Sequence, residues 1–345
     1  MNNKIKVVSI YPNFANKGGA QDVALQLAKR LNEGIKPVVL TKTRFENIVS
    51  DYGGKARFLP FGWKTVCNLA DEDTVFLSHH RKSTSLLKLF NLFLGNKLHI
   101  VHVAHNTFSN MRWLSFFPKR IIAVSNGVKE NLMDYFRVPE QRITVIFNGI
   151  RDCRNEQNMK TSQDEIHILL LGRICKVKQQ VELVRQTRGK LAEHIHIYFA
   201  GMGEDVDLLE KEIKNERQYH YVGFLNMKEN LNKYDYVCLF SKNEGLGLSL
   251  IEGLMFGKPL ITNEIPAVLD VNRVGETGFV FPNFTSLADG LNKLPMSNSE
   301  EYKRLAYNAR ERYKAVFTEE KMIAQYKQII AEEMKQYRKL ESVSY

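Results

Sequence analysis

YVCLFSKNEGLGLSLIEGLMFGKPLIT, residues 236–262, carries the pattern that decides the fold. YVCLF (236–240) is a short, continuous apolar run with the composition of a buried strand. It ends at Ser241 in a polar turn, where Gly245 and Gly247 leave the backbone free to bend. Leu250, Ile251, Leu254 and Met255 then recur at helical spacing, and Gly257 and Pro259 stop the helix before PLIT (259–262). Strand, glycine turn, helix and strand in succession build a parallel sheet. Glu244 stands in the turn and Glu252 lies about one turn into the helix.

The same unit recurs upstream. KVVSIYP (6–12) is followed by the glycine turn NKGGAQD and the helical pattern ALQLAKRLN. Further strands are predicted at PVVLT (37–41), TVFLS (74–78), HIVHVAH (99–105), RIIAVS (120–125) and ITVIF (143–147). A polar stretch without apolar periodicity, RDCRNEQNMKTSQDE (151–165), reads as a linker. The pattern restarts with IHILLLG (166–172), HIHIYFAG (194–201) and YHYVGF (219–224). The chain closes on a long amphipathic helix from about residue 319, with Thr318 placed as its N-cap. The reading is therefore α/β, with two doubly wound domains, 1–151 and 152–318, and a cleft between them. In such sheets ligands bind beyond the carboxyl ends of the strands.

A length of 345 residues suits about two domains, and 44% hydrophobic content argues against disorder. The four cysteines form no CxxC pair, so neither a disulfide framework nor a zinc site is expected, and a reducing cytosol fits best. MNNKIKVVSIYPN lacks the features of a signal peptide, and no run approaches the roughly 18 apolar residues of a membrane span. The net charge of +11 is one-sided: residues 1–151 hold 22 Lys and Arg against 10 Asp and Glu, and residues 152–345 hold 27 against 28. A field of this kind attracts nucleic acid, an acidic membrane surface or an acidic substrate, or it serves solubility alone.

Glycines at the strand ends mark candidate sites. Gly18 and Gly19 can bring backbone close to an anion at a helix N-terminus, or they form a tight turn. GRICKVK (172–178) sends Arg173 and Lys178 from a strand end; this pair suits a diphosphate, or it belongs to an ordinary basic loop. Gly201 and Gly203 in FAGMGED suit close approach of a ligand. DVD (205–207) and DED (71–73) read as a helix start and a polar turn rather than as metal ligands. Glu244 and Glu252 can each accept hydrogen bonds from vicinal hydroxyls; either one alone reads as a solvated glutamate, and the pair beside the basic loop favours the hydroxyl role.

Taken in order, GGAQDVALQLA, AVSNGVKENL (123–132), VIFNGI (145–150), GRICKVK, AGMGE (200–204), the E-x7-E of Glu244 and Glu252, and GETGFVF (275–281) resemble the retaining glycosyltransferases of family four. The resemblance covers nearly the whole chain. It implies the GT-B architecture, two Rossmann-like domains facing each other across a cleft, and a hexosyltransferase-type enzyme. The domain at 152–318 would bind a nucleotide-diphosphate sugar, a UDP-sugar first among them. The domain at 1–151, with a crossing helix at about 319–340, would bind the acceptor. Arg173 and Lys178 would hold the diphosphate and Glu252 the ribose. Glu244 would act at the donor sugar, beside the amides of Gly245, Leu246, Gly247 and Leu248. Gly18 and Gly19 would approach the donor phosphates, Gly201 and Gly203 would line the donor site, and His105 would lie at the reaction centre. His105 alone could equally be a strand-end core histidine. No metal or other cofactor is required by this chemistry.

The chain departs from the family at Phe147, where proline is usual, at Asn106, and at TNEIPAV (262–268), where a Gly-Gly loop is usual. The last segment leaves the donor sugar open. HHRKSTSLLKLFNLFLGNKL (79–98), with Trp113, Phe116 and Phe117, is either core or a membrane-facing surface. Together these readings predict a cytoplasmic enzyme, peripheral on the inner face of the cytoplasmic membrane, that glycosylates a glycan or lipid-linked acceptor in bacterial envelope polysaccharide (LPS or capsule) synthesis. A sugar-nucleotide epimerase on the same fold and a basic nucleic-acid-binding protein are the rival readings. The second lacks any recognition-helix or RNP-type pattern, so no nucleic acid is expected as a partner.

Overall fold

The computed structural model describes residues 5–154, 164–226 and 230–343. Residues 155–163 of the polar stretch read as a linker lie outside the described residues, as do the first four of the N-terminal reading. The chain forms two compact units, residues 1–148 with 320–345, and residues 149–319.

The first unit holds β1 (Lys6–Ile10), β2 (Val38–Thr41), β3 (Arg57–Pro60), β4 (Thr74–Ser78), β5 (His99–Ala104), β6 (Arg120–Ala123) and β7 (Ile143–Val145). They pair in parallel in the order β3-β2-β1-β4-β5-β6-β7. The central strands are covered on both faces, so every residue of β4 and β5 is buried, Thr74, Ser78, His99 and His102 included, and no exposed polar face alternates with the apolar one. The strand RFLP was not legible because it is an edge strand, half exposed, and ends in a proline. The chain winds outward from β1 to β3, then crosses to β4. The direction therefore reverses between β1 and β4, where a doubly wound sheet opens a crevice at its carboxyl edge.

The second unit repeats the plan with β8 (Ile166–Leu171), β9 (Ile195–Ala200), β10 (Tyr219–Tyr221), β11 (Tyr236–Leu239), β12 (Leu260–Thr262) and β13 (Gly278–Val280). The order is β10-β9-β8-β11-β12-β13, and the reversal falls between β8 and β11. The helix Leu248–Met255 lies flat on this sheet. A Cβ on Gly253 would stand 2.9 Å from Val237 Cβ and 3.0 Å from Leu260 Cδ2, so only glycine permits that approach.

The closing helix, Glu319–Val343, begins where the chain returns to the first unit. Met322, Ile323, Tyr326, Ile330 and Met334 are buried there, and Glu333 and Lys327 lie 3.5 and 3.7 Å from Arg120 and Glu33. The helix before it, Glu300–Val316, stays with the second unit, its Arg310 paired to Asp152.

Candidate functional site

In the second unit the loops leaving β8 and β11 meet at the point of reversal. Val177 anchors both: its carbonyl accepts from the Ser241 hydroxyl at 2.9 Å and from the Lys242 amide at 2.8 Å. Asn263, just past β12, adds the third loop. Its side chain accepts from the Ser241 amide at 3.2 Å and donates to the Ser241 carbonyl at 2.7 Å. Gln180 is buried and closes the first loop on itself, donating to the Arg173 carbonyl at 2.9 Å and accepting from the Cys175 amide at 3.3 Å. Ser241, Asn263 and Gln180 escaped the sequence reading because polar residues near turns are common. Asn263 did lie in the segment that departs from the family pattern.

Lys178 and Glu244, given separate tasks from the sequence, are an ion pair in the structure, with side chains 25% and 8% exposed. Pairing with one carboxylate oxygen leaves further N–H donors on the ammonium for a second anion. Arg173 stands exposed at the start of the same loop. Gly245, Leu246 and Gly247 are buried, and Gly247 opens the helix at Leu248 from the left-handed region, φ +84°. A helix start of this kind favours an anion, although the Leu250 and Ile251 amides already donate to the Gly247 carbonyl. Glu252 is half-buried on the same helix.

Gly201 and Gly203 have a reason for being glycine that requires no ligand. A Cβ at Gly201 would lie 2.0 Å from the Gly172 carbonyl oxygen, and one at Gly203 would lie 2.0 Å from that of Ile174. These loops are packed backbone to backbone, and the Gly201 amide already donates to the Gly223 carbonyl at 2.8 Å. The two acidic triplets lie at a helix start and in a polar turn, although the Asp205 side chain makes no capping hydrogen bond. Asp205 immediately precedes the helix Val206–Ile213, and Asp71 accepts from the Asp73 amide and the Thr74 hydroxyl in the turn before β4.

In the first unit, Gly18 precedes the helix Gly19–Leu31, at the carboxyl end of β1. Its amide donates to the Tyr52 hydroxyl at 3.2 Å, and Tyr52 in turn bonds the Asp22 carboxyl, whose pKa burial raises. His105 follows β5 and faces His79, which follows β4. Their rings stack at 5.1 Å, with His79 Nδ1 2.8 Å from His105 Nε2. His79 was not singled out from the sequence, although the HH pair at the end of a strand was its available signal. His102, inside β5, lies 3.1 Å from the Ser78 carbonyl and 2.8 Å from the Thr84 hydroxyl.

Burial holds these rings neutral. It pushes the His79 pKa well below the usual value, His105 down to about 4 and His102 to about 3. Unfolding returns each to about 6.5, so the unfolded chain binds more protons and stability falls as pH drops through that value. At pH 5 His102 alone should cost about 2 kcal/mol relative to pH 7.5. Denaturant melts at the two pH values measure this, and a loss left undiminished by His102→Asn would rule out His102 as its source.

Residues 154–312 match the family model for glycosyl transferases group 1, and residues 17–154 match that for glycosyltransferase family 4. The chain belongs to this family of glycosyltransferases. It is 31% identical over 172 residues to the O-antigen biosynthesis glycosyltransferase WclY of Escherichia coli, covering 46% of each chain. The chain spans about half the length of the curated relatives it matches. Among solved structures it is similar to a glycosyltransferase from Rickettsia africae (TM-score 0.81, 17% identity, 96% and 99% of the two chains). It is also similar to Anabaena Alr3699/HepE in complex with UDP (TM-score 0.82, 14% identity, 95% and 100%). These likenesses establish the GT-B fold.

Proposed function

We propose that this chain is a retaining glycosyltransferase that moves a sugar from a UDP-sugar to a glycan or lipid-linked acceptor of a bacterial envelope polysaccharide. The observation that carries the reading is the convergence at the β8/β11 reversal: a basic loop, a buried carboxylate paired to its lysine, and a helix start. Arg173 and Lys178 neutralise the diphosphate, Glu252 accepts from the ribose hydroxyls, and Glu244 faces the donor sugar. The second unit then binds donor. The first binds acceptor, with Gly18, Gly19 and His105 at the carboxyl edge of its own sheet. The UDP bound to the Anabaena protein of like fold and the O-antigen role named for the E. coli relative support the choice of donor and pathway.

The acceptor hydroxyl attacks the anomeric carbon on the face that the diphosphate leaves. The bond from that carbon to the phosphate oxygen breaks, and the hydroxyl proton passes to that oxygen. The protein supplies positioning and charge stabilisation. A thermal-shift panel of UDP, GDP, ADP and dTDP tests the donor site. UDP at a hundred times its Kd should add about 2.7 kcal/mol, and this gain should be lost in Arg173→Ala and reduced in Glu252→Ala. No stabilisation by any nucleoside diphosphate would count against the reading.

The proposal extends to a membrane surface on the first unit. Among the described residues no helix is long and apolar enough to cross a membrane. The helix Arg81–Phe93 divides its apolar residues: Leu87 is core, with Leu86 and Phe90 packed against it, while Leu92 and Phe93 are 62% and 75% exposed. Ser85 bonds the loop that carries the exposed Trp113, Leu114 and Phe116, accepting from the Phe116 amide and donating to the Leu114 carbonyl. Lys119 and Arg142 lie close enough to Lys88 to lower its pKa, after burial. Aromatic and basic groups mixed in this way suit an anionic lipid interface. Flotation with phosphatidylglycerol vesicles at low salt should carry the protein up, and Phe93→Asp with Trp113→Asp should abolish that. Failure of the wild type to float would end this part of the proposal.

A further inference from the structure

The Ser9 hydroxyl has one hydrogen and two neighbours. The Ala24 carbonyl lies 3.1 Å away and His79 Nε2 lies 2.9 Å away. A carbonyl can only accept; with the hydroxyl hydrogen given to Ala24, Ser9 Oγ accepts from a protonated His79 Nε2. A neutral His79 is then bare at Nδ1. The only partner it can take at 2.8 Å is a protonated His105 Nε2. A neutral His105 is in turn bare at Nδ1. Ser9 and His79 are buried, so water does not compete where they meet.

We infer that Ser9 and His79 are positioning residues that select the tautomer of His105, locking its proton on Nε2 and turning a bare Nδ1 outward as a hydrogen-bond acceptor. The direction is set by one backbone carbonyl of the helix Gly19–Leu31 and passed through two rings to the carboxyl edge of the sheet. His105 so held accepts from a carbohydrate hydroxyl; it does not serve as a cation for phosphate. The nature of that partner rests on the proposed function, whereas the tautomer does not.

Two-bond hydrogen–nitrogen correlation spectra of the histidine-labelled full chain, without ligand, read the tautomer directly. His79→Gln and His105→Gln spectra assign the signals. His105 is expected with a pyrrole-type Nε2 and a pyridine-type Nδ1, and the reverse pattern overturns the inference whatever the activity. A kinetic arm uses two variants. His79→Gln retains a carbonyl oxygen able to accept from His105 Nε2, and His79→Phe retains a ring with no acceptor. His79→Phe should lower kcat about tenfold with the KM for donor within about twofold, and His79→Gln should recover most of the loss. Equal losses in both variants, or none in His79→Phe, contradict the positioning role. If no nucleotide sugar supports transfer, the functional reading fails and the spectra alone decide the tautomer.

Discussion

Glu244→Gln should lower kcat roughly a hundredfold while the KM for the nucleotide sugar moves less than about threefold. The substitution keeps the shape and one acceptor but removes the negative charge. In the proposed reaction positive charge builds on the sugar as the diphosphate leaves. A carboxylate with 8% of its side chain exposed acts there with little screening by water. Stability should change little, because the released Lys178 ammonium, 25% exposed, reaches solvent. The converse substitution is not symmetric. Lys178→Met strands a buried carboxylate without its cation and should cost about 2 kcal/mol, below the cost for a wholly buried pair. Steady-state kinetics and urea melts on the two variants separate these effects. Unimpaired turnover in Glu244→Gln would remove Glu244 from the chemistry.

Gly201→Ala should be among the most destabilising single methyl additions in the second unit, costing about 3 kcal/mol or more. The new Cβ would meet the Gly172 carbonyl oxygen at 2.0 Å, and φ at +141° admits no other residue comfortably. Nothing soft is available to yield, because the obstacle is backbone. The loop forced aside is the one that carries Arg173 and Lys178, so nucleotide binding should weaken along with stability. Gly223→Ala is the control: its φ is +65°, yet nothing lies within 4 Å of the added carbon. It should cost about 1 kcal/mol, the price of a left-handed residue alone. Comparable melting temperatures for the two variants would show that the carbonyl contact is not what demands glycine at 201.

These two cases mark what can be read from sequence. The parallel sheets were legible because buried strands are unbroken apolar runs, as in TVFLS and YVCLF, and their glycine turns punctuate them. The edge strands β3 and β13 were not, since RFLP is partly exposed along its length and ends in a proline, and GFV is only three residues long with Gly278 alone buried. At the candidate site, residue types were legible and partnerships were not. Lys178 and Glu244 are 66 positions apart, and only the reversal of strand order between β8 and β11 brings them together. His79 hides for the same reason, since its alignment with His105 depends on β4 and β5 lying side by side. Gly201 and Gly203 read as ligand-approach glycines because a sequence does not distinguish space kept for a ligand from space filled by a neighbouring loop.

The chain leaves the first unit at residue 148 and re-enters it at residue 320. During synthesis, then, the amino-terminal sheet emerges well before the helix that covers part of it. Until residues 320–334 have been made, the surface awaiting Tyr326, Ile330 and Met334 stays bare. The first unit is thus expected to be completed only after the whole of the second has been synthesised.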